Sequence, residues 1–299
     1  MKVIIGTRGS KLALAQTYQV ADLLKSEGVE TEIKIIKTVG DKVQNKTLSE
    51  LGIGVFTKEL DLAMLNNEID IAVHSLKDVP TVWNENLIIA ATPKRESYHD
   101  LIIWNKDNEK VEEFLNGKCK AVVGTSSIRR KEFLKIMYPN IEIKLLRGNV
   151  DTRLNKLRNK EYDAIILAEA GINRLKINLN EEFNFKRLDI LPSPAQGAIG
   201  IAARKDDGEI IDILKKINDK KTFLEVTAER FALREYGGGC QAPFGALAKY
   251  DEKLGKLELE CAIVENGKIK RERREICCGV DDIECAKKLG MEVGRLLKQ

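Results

Sequence analysis

Residues 121–167 read AVVGTSSIRRKEFLKIMYPNIEIKLLRGNVDTRLNKLRNKEYDAIIL, and their periodicity decides the fold. Three short runs rich in Val, Ile and Leu (121–124, 141–146 and 163–167) have the length of strands rather than helices. The segment from about Ser127 to Tyr138 has helical period and is ended by Pro139. Val150, Leu154 and Leu157 then recur at helical spacing before the third run. Strands alternating with helices in this way predict an α/β layer of largely parallel, buried strands. Ligands on such sheets lie beyond the carboxyl ends of the strands, in the loops that open the following helices.

Outward from this stretch the alternation continues. Strands are expected at 2–6, 32–37, 69–74, 87–91, 101–104 and 198–203. A first helix carries Leu14, Tyr18 and Ala21 on one face and stops at Gly28, and a second spans 57–67. The last third differs. Leu224, Ala228 and Phe231 mark a helix closed by Gly237-Gly238-Gly239, and strands 256–264 and 268–277 flank the hairpin signal Glu265-Asn266-Gly267. A final helix follows Asp281, with Ile283, Ala286, Leu289, Val293 and Leu296 facing inward. Strands followed by one helix predict a small α+β unit. Two segments, 91–97 and Leu191-Pro192-Ser193-Pro194-Ala195-Gln196-Gly197, look like crossovers by which the chain leaves a first α/β domain, builds a second and returns. That path places a cleft and two hinges between them.

A chain of 299 residues suits two or three domains. Lysine plus arginine (50) nearly balances aspartate plus glutamate (46), so the net charge of +4 lacks the basic excess of a general nucleic-acid binder. No run approaches the ~18 consecutive apolar residues of a membrane span. The opening Met1-Lys2-Val3-Ile4-Ile5-Gly6 lacks a signal-peptide pattern, so a cytoplasmic protein with thiols rather than disulfides is expected. The six cysteines contain no C-x-x-C pair and the only histidines are His74 and His99, so no metal centre is expected. Neither a G-x-x-x-x-G-K-[ST] phosphate loop nor a G-x-S-x-G nucleophile elbow is present.

Chemistry gathers instead at the strand ends. Gly124-Thr125-Ser126-Ser127-Ile128-Arg129-Arg130-Lys131 puts hydroxyls, free backbone N–H groups and three cations at a helix N-terminus. The cations oppose the helix dipole, and a bound anion would answer them; an ordinary serine cap with solvated arginines is the alternative. Gly6-Thr7-Arg8-Gly9-Ser10, Leu146-Arg147-Gly148-Asn149-Val150-Asp151-Thr152-Arg153 and Arg174 repeat the arrangement. Four such sites suit a ligand with several carboxylates or phosphates, because arginine forks pair with both. In His74-Ser75-Leu76-Lys77-Asp78-Val79-Pro80, Asp78 is either a general acid/base or an Asx-turn residue, His74 a histidine satisfied at a strand end, and Lys77 functional or solvated. Cys240, after three glycines, is a candidate nucleophile or attachment point; the other five cysteines read as incidental thiols.

These segments together resemble the hydroxymethylbilane synthase (porphobilinogen deaminase) family. The resemblance rests on 6–10, 56–60, 74–80, 123–130, 146–153, 167–175, 194–200 and 239–243, in family order. It implies a transferase of porphyrin and haem biosynthesis that condenses four porphobilinogen molecules head to tail into hydroxymethylbilane, releasing four ammonia. It also implies a three-domain fold: 1–94 with 197–216, 98–193, and 220–299, the first two domains being similar to periplasmic-type binding proteins. A dipyrromethane cofactor would be held by a thioether to Cys240. Its contacts, carried over by motif, are Lys77, Asp78, Thr125, Ser126, Ser127, Arg129, Arg130, Arg147, Gly148 and Ala170. Substrate contacts are Arg8, Ser10, Arg147, Arg153, Arg174 and Gln196. Loss of ammonia leaves an electron-poor azafulvene and then a cationic adduct, and the resemblance makes Asp78 the carboxylate that stabilises these cations. Two departures stand out: Ile53 replaces a lysine common in the family, and Gly237 an acidic residue. No partner beyond porphobilinogen is implied, and a monomer is the expectation. A non-catalytic two-lobed anion binder would leave Cys240 and Asp78 without a role, and a Cys240 thiol enzyme lacks histidines.

Overall fold

The computed structural model describes residues 2–38, 57–239 and 242–299. The chain starts as β1 (Lys2–Thr7), α1 (Lys11–Ser26), β2 (Glu30–Ile35), α2 (Lys58–Leu65), β3 (Ile71–Ser75), a single turn of 3₁₀ helix (Leu76–Asp78) and β4 (Leu87–Ala91). It crosses to a second lobe built from β5 (Asp100–Asn105), α3 (Lys110–Leu115), β6 (Ala121–Gly124), α4 (Ile128–Met137), β7 (Ile141–Lys144), α5 (Val150–Arg158), β8 (Ala164–Ala168), α6 (Glu169–Arg174) and β9 (Phe183–Arg187). It returns to the first lobe as β10 (Ile199–Arg204) and α7 (Gly208–Lys216). The C-terminal unit is α8 (Lys220–Tyr236), β11 (Phe244–Asp251), β12 (Lys256–Glu265), β13 (Lys268–Cys277) and α9 (Ile283–Lys298). This is the mixed α/β architecture with two crossovers and a small C-terminal α+β unit that the periodicity predicts.

The first sheet has the order β2-β1-β3-β10-β4 and the second β7-β6-β8-β5-β9. Burial on both faces follows the two-residue period of the strands. Val3, Ile5, Ile71, Val73 and Ile201 pack beneath α1 and α7, while Ala72 and Ala202 meet α2 on the other side. In the second lobe Ile102 and Ile166 face α3 and α4, whereas Leu101, Ile103 and Ile165 face α5.

Parallel pairing is less complete than expected. β10 runs antiparallel to β3 and β4, and β5 antiparallel to β8 and β9. The reason is topological. Each is the strand by which the chain enters a lobe from the cleft, so it starts where the other strands end. The face of α1 also differs from expectation: Gln16, Thr17, Val20 and Leu24 are buried and Tyr18 is 56% exposed. Polar partners outweigh apolarity here, since Gln16 bonds Ser75 at 2.9 Å and Thr17 bonds Thr7 at 2.7 Å.

The C-terminal unit is an antiparallel meander, β11-β12-β13, with α8 and α9 packed on one face. Asn266 and Gly267 both have positive φ, so the hairpin closes through the two-residue turn the sequence predicts. The helices cross closely at Gly290, where a Cβ would lie 2.5 Å from the Ala228 carbonyl oxygen. Leu296 is only half-buried, and the neighbouring Leu297 takes the core position.

Glu225 on α8 is 8% exposed and accepts a bond from the Tyr250 N–H at 3.0 Å. Burial, reinforced by the Glu229 charge and opposed by that bond, pushes its carboxyl up from 4.5 to about 7. Between these values the native state holds a proton that the unfolded chain has released, so stability falls as pH rises through the window. Glu225→Gln keeps the acceptor and never ionises. In urea titrations it should be about 2 kcal/mol more stable than the unsubstituted protein at pH 8, with the advantage vanishing towards pH 4.

Candidate active site

The carboxyl ends of β1, β3, β6, β7 and β8 open towards one cleft, and the following turns start helices there. Ser10, Ser127 and Asn149 cap α1, α4 and α5 through their side-chain oxygens, accepting from the N–H of Ala13, Arg130 and Thr152. Thr125 is buried and accepts from the Ser127 N–H, and Ser126 lies half-buried beside them. Gly148 has φ +110°, and its carbonyl accepts from Arg153 Nε at 2.8 Å.

Arg129 and Arg130 are 4% and 6% exposed and share one carboxylate. Asp100, the first residue of β5, takes Arg129 Nη2 at 2.6 Å on one oxygen, and Arg130 Nη2 at 2.7 Å on the other. The anion that answers this basic turn is therefore partly internal. Burial opposes the charge on Asp100, but the two guanidiniums more than offset it and hold its carboxyl well below the usual range. Gln196, 1% exposed in the return crossover, donates to Asp100 at 2.9 Å and to the Tyr98 carbonyl at 2.8 Å, and accepts from Lys77 Nζ at 3.3 Å. Burial lowers Lys77 to about 8, with Asp78 and Asp100 opposing the fall and Arg129 and Arg130 adding to it.

Asp78 is exposed on the turn after β3. Its charge acts on Lys77 and on Arg153, which burial and the neighbouring Arg130 and Arg147 lower to about 10. The expected cluster of Lys77, Asp78, Arg129, Arg130, Arg147 and Arg153 thus comes together from both lobes. Arg174 stands apart, donating to the Gly197 carbonyl of the hinge at 2.7 Å with Glu96 as its charged neighbour; burial lowers it to about 10. Arg8 lies beside His74, and Ala170 is buried at the start of α6. His74 differs from the satisfied, half-buried histidine expected at a strand end. It is buried, its Nε2 has no hydrogen bond among the described residues, and burial with the Arg8 charge lowers it to about 4, so it is neutral. Cys240 and Ile53 lie outside the described residues. Of the other cysteines, Cys261 and Cys285 are buried, Cys119 and Cys278 partly so, and Cys277 is exposed.

The two crossovers touch. The Glu96 N–H donates to the Gly197 carbonyl at 3.1 Å, and a Cβ at Gly197 (φ +87°) would lie 2.5 Å from the carbonyl oxygens of Glu96 and Ser97, so only glycine fits. Arg95 in the outgoing crossover meets fully buried Glu229 of α8 in a two-pronged pair at 2.6 and 3.1 Å. Glu229 also accepts from the N–H of Ala195 at 2.6 Å and of Ala248 at 2.9 Å. Neither Asp100 nor Glu229 emerges from the sequence reading. The available signals were an acid heading an apolar strand and an acid on the buried stripe of a helix.

Two family models match the chain: porphobilinogen deaminase, dipyromethane cofactor binding domain, over residues 3–212, and porphobilinogen deaminase, C-terminal domain, over 223–299. The chain belongs to the porphobilinogen deaminase family. It is 60% identical to a probable porphobilinogen deaminase of Methanocaldococcus jannaschii over 98% of this chain and 99% of that one. The corresponding protein of Archaeoglobus fulgidus is 44% identical, with 92% of each chain covered, and the porphobilinogen deaminase of a Geobacillus species is 44% identical over 84% and 81%. Among solved structures, an ancestral cationic amino acid solute binding protein superposes with a TM-score of 0.44 at 15% identity, covering 72% of this chain and 88% of that one. Among the described residues of this family member, no helix is long and apolar enough to cross a membrane, and no cluster of His, Cys, Asp or Glu could hold a metal ion.

Replacing Glu229 by Gln leaves Arg95 buried without its counter-charge. The variant should lose about 3 kcal/mol or more in urea unfolding, well beyond the effect of breaking an exposed pair such as Lys215–Asp212.

Proposed function

We propose that this chain is a hydroxymethylbilane synthase that joins four porphobilinogen molecules head to tail in the cleft between its lobes. The observation that carries the reading is the basic array at the strand ends, in a chain of this family. Porphobilinogen is a small dicarboxylate, and a growing oligomer multiplies that charge. Each carboxylate taken from water needs charge-assisted partners. The array suits this need. Arg129, Arg147 and Arg174 each keep a buried Nε–H with no acceptor among the described residues, a donor set that a polycarboxylate would satisfy.

The same donors fit a dipyrromethane, which when bound would supply the first acceptor pyrrole. Cys240 is its proposed point of attachment, with Lys77, Asp78, Thr125, Ser126, Ser127, Arg129, Arg130, Arg147, Gly148 and Ala170 around it. Arg8, Ser10, Arg153, Arg174 and Gln196, with Arg147 again, are proposed to hold the carboxylates of incoming substrate. Asp78 is proposed as the catalytic residue. It is the exposed carboxylate at the cleft edge, free to face a pyrrole N–H, stabilise the cation formed when ammonia leaves, and take up the proton lost when the ring regains aromaticity. Its charge acts on Lys77 and Arg153, which face the same space. The proposed domain boundaries are 1–94 with 197–216, 98–193, and 220–299. The protein is further proposed to be cytoplasmic and monomeric.

Intact-protein mass spectrometry should show an added dipyrromethane mass that disappears in Cys240→Ala; an unmodified native protein would refute the reading. Asp78→Ala should keep that mass but lose at least ~10²-fold in turnover, measured as hydroxymethylbilane released.

A further inference from the structure

The cofactor and substrate contacts proposed above leave out the acid that organises them. We propose that Asp100 is a positioning residue that couples Arg129 and Arg130 of the second lobe to Lys77 of the first through the Gln196 carboxamide. This rests on the function proposed above and adds a residue to it.

The bonding pattern fixes the orientation of every member. Asp100 Oδ2 accepts from Arg129 Nη2 at 2.6 Å. Asp100 Oδ1 accepts from Arg130 Nη2 at 2.7 Å and Nε at 3.1 Å, and from Gln196 Nε2 at 2.9 Å. The remaining Nη1 groups are tied to backbone, Arg129 to Leu191 O at 2.7 Å and Arg130 to Ile166 O at 3.0 Å. Gln196 Nε2 has two acceptors, Asp100 and the Tyr98 carbonyl, so both of its protons are committed. Its carbonyl oxygen must then face Lys77, and the reverse amide orientation would set N–H groups against an ammonium. A single carboxylate thus determines the direction of two guanidiniums and one ammonium on both sides of the cleft.

The charged groups facing Lys77 are Asp78 on its own turn, Arg129 and Arg130 on α4, and Asp100 on β5. The two acids favour the ammonium, while burial and the two guanidiniums disfavour it. Neutralising Asp100 leaves two guanidiniums and one acid facing Lys77, frees the Gln196 amide to turn, and makes Lys77 easier to deprotonate. Because Asp100 also acts on Lys77 through space, the carboxamide link is read from Gln196, whose removal leaves the Asp100 charge in place.

The test follows the proton affinity of Lys77 in the intact enzyme by competitive acylation across pH with peptide mass spectrometry, beside the pH dependence of kcat/KM for porphobilinogen. In Asp100→Asn the Lys77 midpoint should fall from near 8 by about one pH unit or more, a shift typical of losing a close opposite charge. The alkaline limb of kcat/KM should move with it. Gln196→Leu, which keeps the Asp100–arginine contacts, should lower the midpoint in the same direction, and it carries the test if Asp100→Asn does not fold. A folded variant with an unmoved midpoint overturns the proposal, even where turnover falls. Acylation needs no catalysis, so a protein that makes no hydroxymethylbilane defeats the functional reading, whereas the Lys77 midpoint alone decides this coupling.

Discussion

The buried pair of Arg95 and Glu229 is the point on which the three parts of the chain converge. Each Glu229 oxygen takes two donors: Arg95 and Ala248 N–H on one, Arg95 and Ala195 N–H on the other. Arg95 also donates through Nε to the Gln196 carbonyl. One acid on α8 therefore grips the outgoing crossover, the return crossover and the first strand of the C-terminal sheet. Burying two charges is costly, and such a pair roughly breaks even only when every lone pair is satisfied, as here. What it contributes is placement, because an apolar contact would permit many relative settings of hinges and sheet.

That placement governs the charge pattern. With both crossovers held together, β5 and β10 start at the cleft and the other strands of each lobe end there. The loops that open α1, α4, α5 and α6 then face the same space. The cost is visible in the cations, since Arg153 and Arg174 are both driven down to about 10 by burial. Lowered to that extent they remain charged near neutrality, so the cleft stays positive. Asp100, Asp78 and Glu96 answer part of this charge, while the Nε–H groups of Arg129, Arg147 and Arg174 keep no acceptor among the described residues. Stability is forgone locally for a site complementary to a polyanion.

Much of this was legible in the sequence because periodicity is local. Strands 87–91 and 121–124, the hairpin at Asn266-Gly267 and the helix cap at Ser127 follow from neighbouring residues alone. The arginines were legible too, because position after a strand is a local property. What remained hidden was pairing across the chain. Asp100 and Arg130 are 30 residues apart and Arg95 and Glu229 are 134 apart, and nothing at either partner specifies the other. The burial of Gln16 and Thr17 was missed for the same reason, since polarity predicts exposure until a distant or cross-element partner removes the penalty. Antiparallel β5 and β10 likewise follow from the path between lobes rather than from their composition.

The two aspartates at the cleft show how environment divides one chemistry between two roles. Asp100 and Asp78 both sit at strand ends near the same arginines and the same lysine. Asp100 is 1% exposed, and its oxygens are filled by two guanidiniums and an amide. The two guanidiniums hold it well below the usual carboxylate range, and it is closed off from solvent. Asp78 is exposed on a one-turn helix with a cationic field on either side. Of the two, Asp78 is the acid proposed for proton transfer at the pyrrole. In the proposed reading Asp100 acts only through the groups it holds, which share the cleft with the exposed acid.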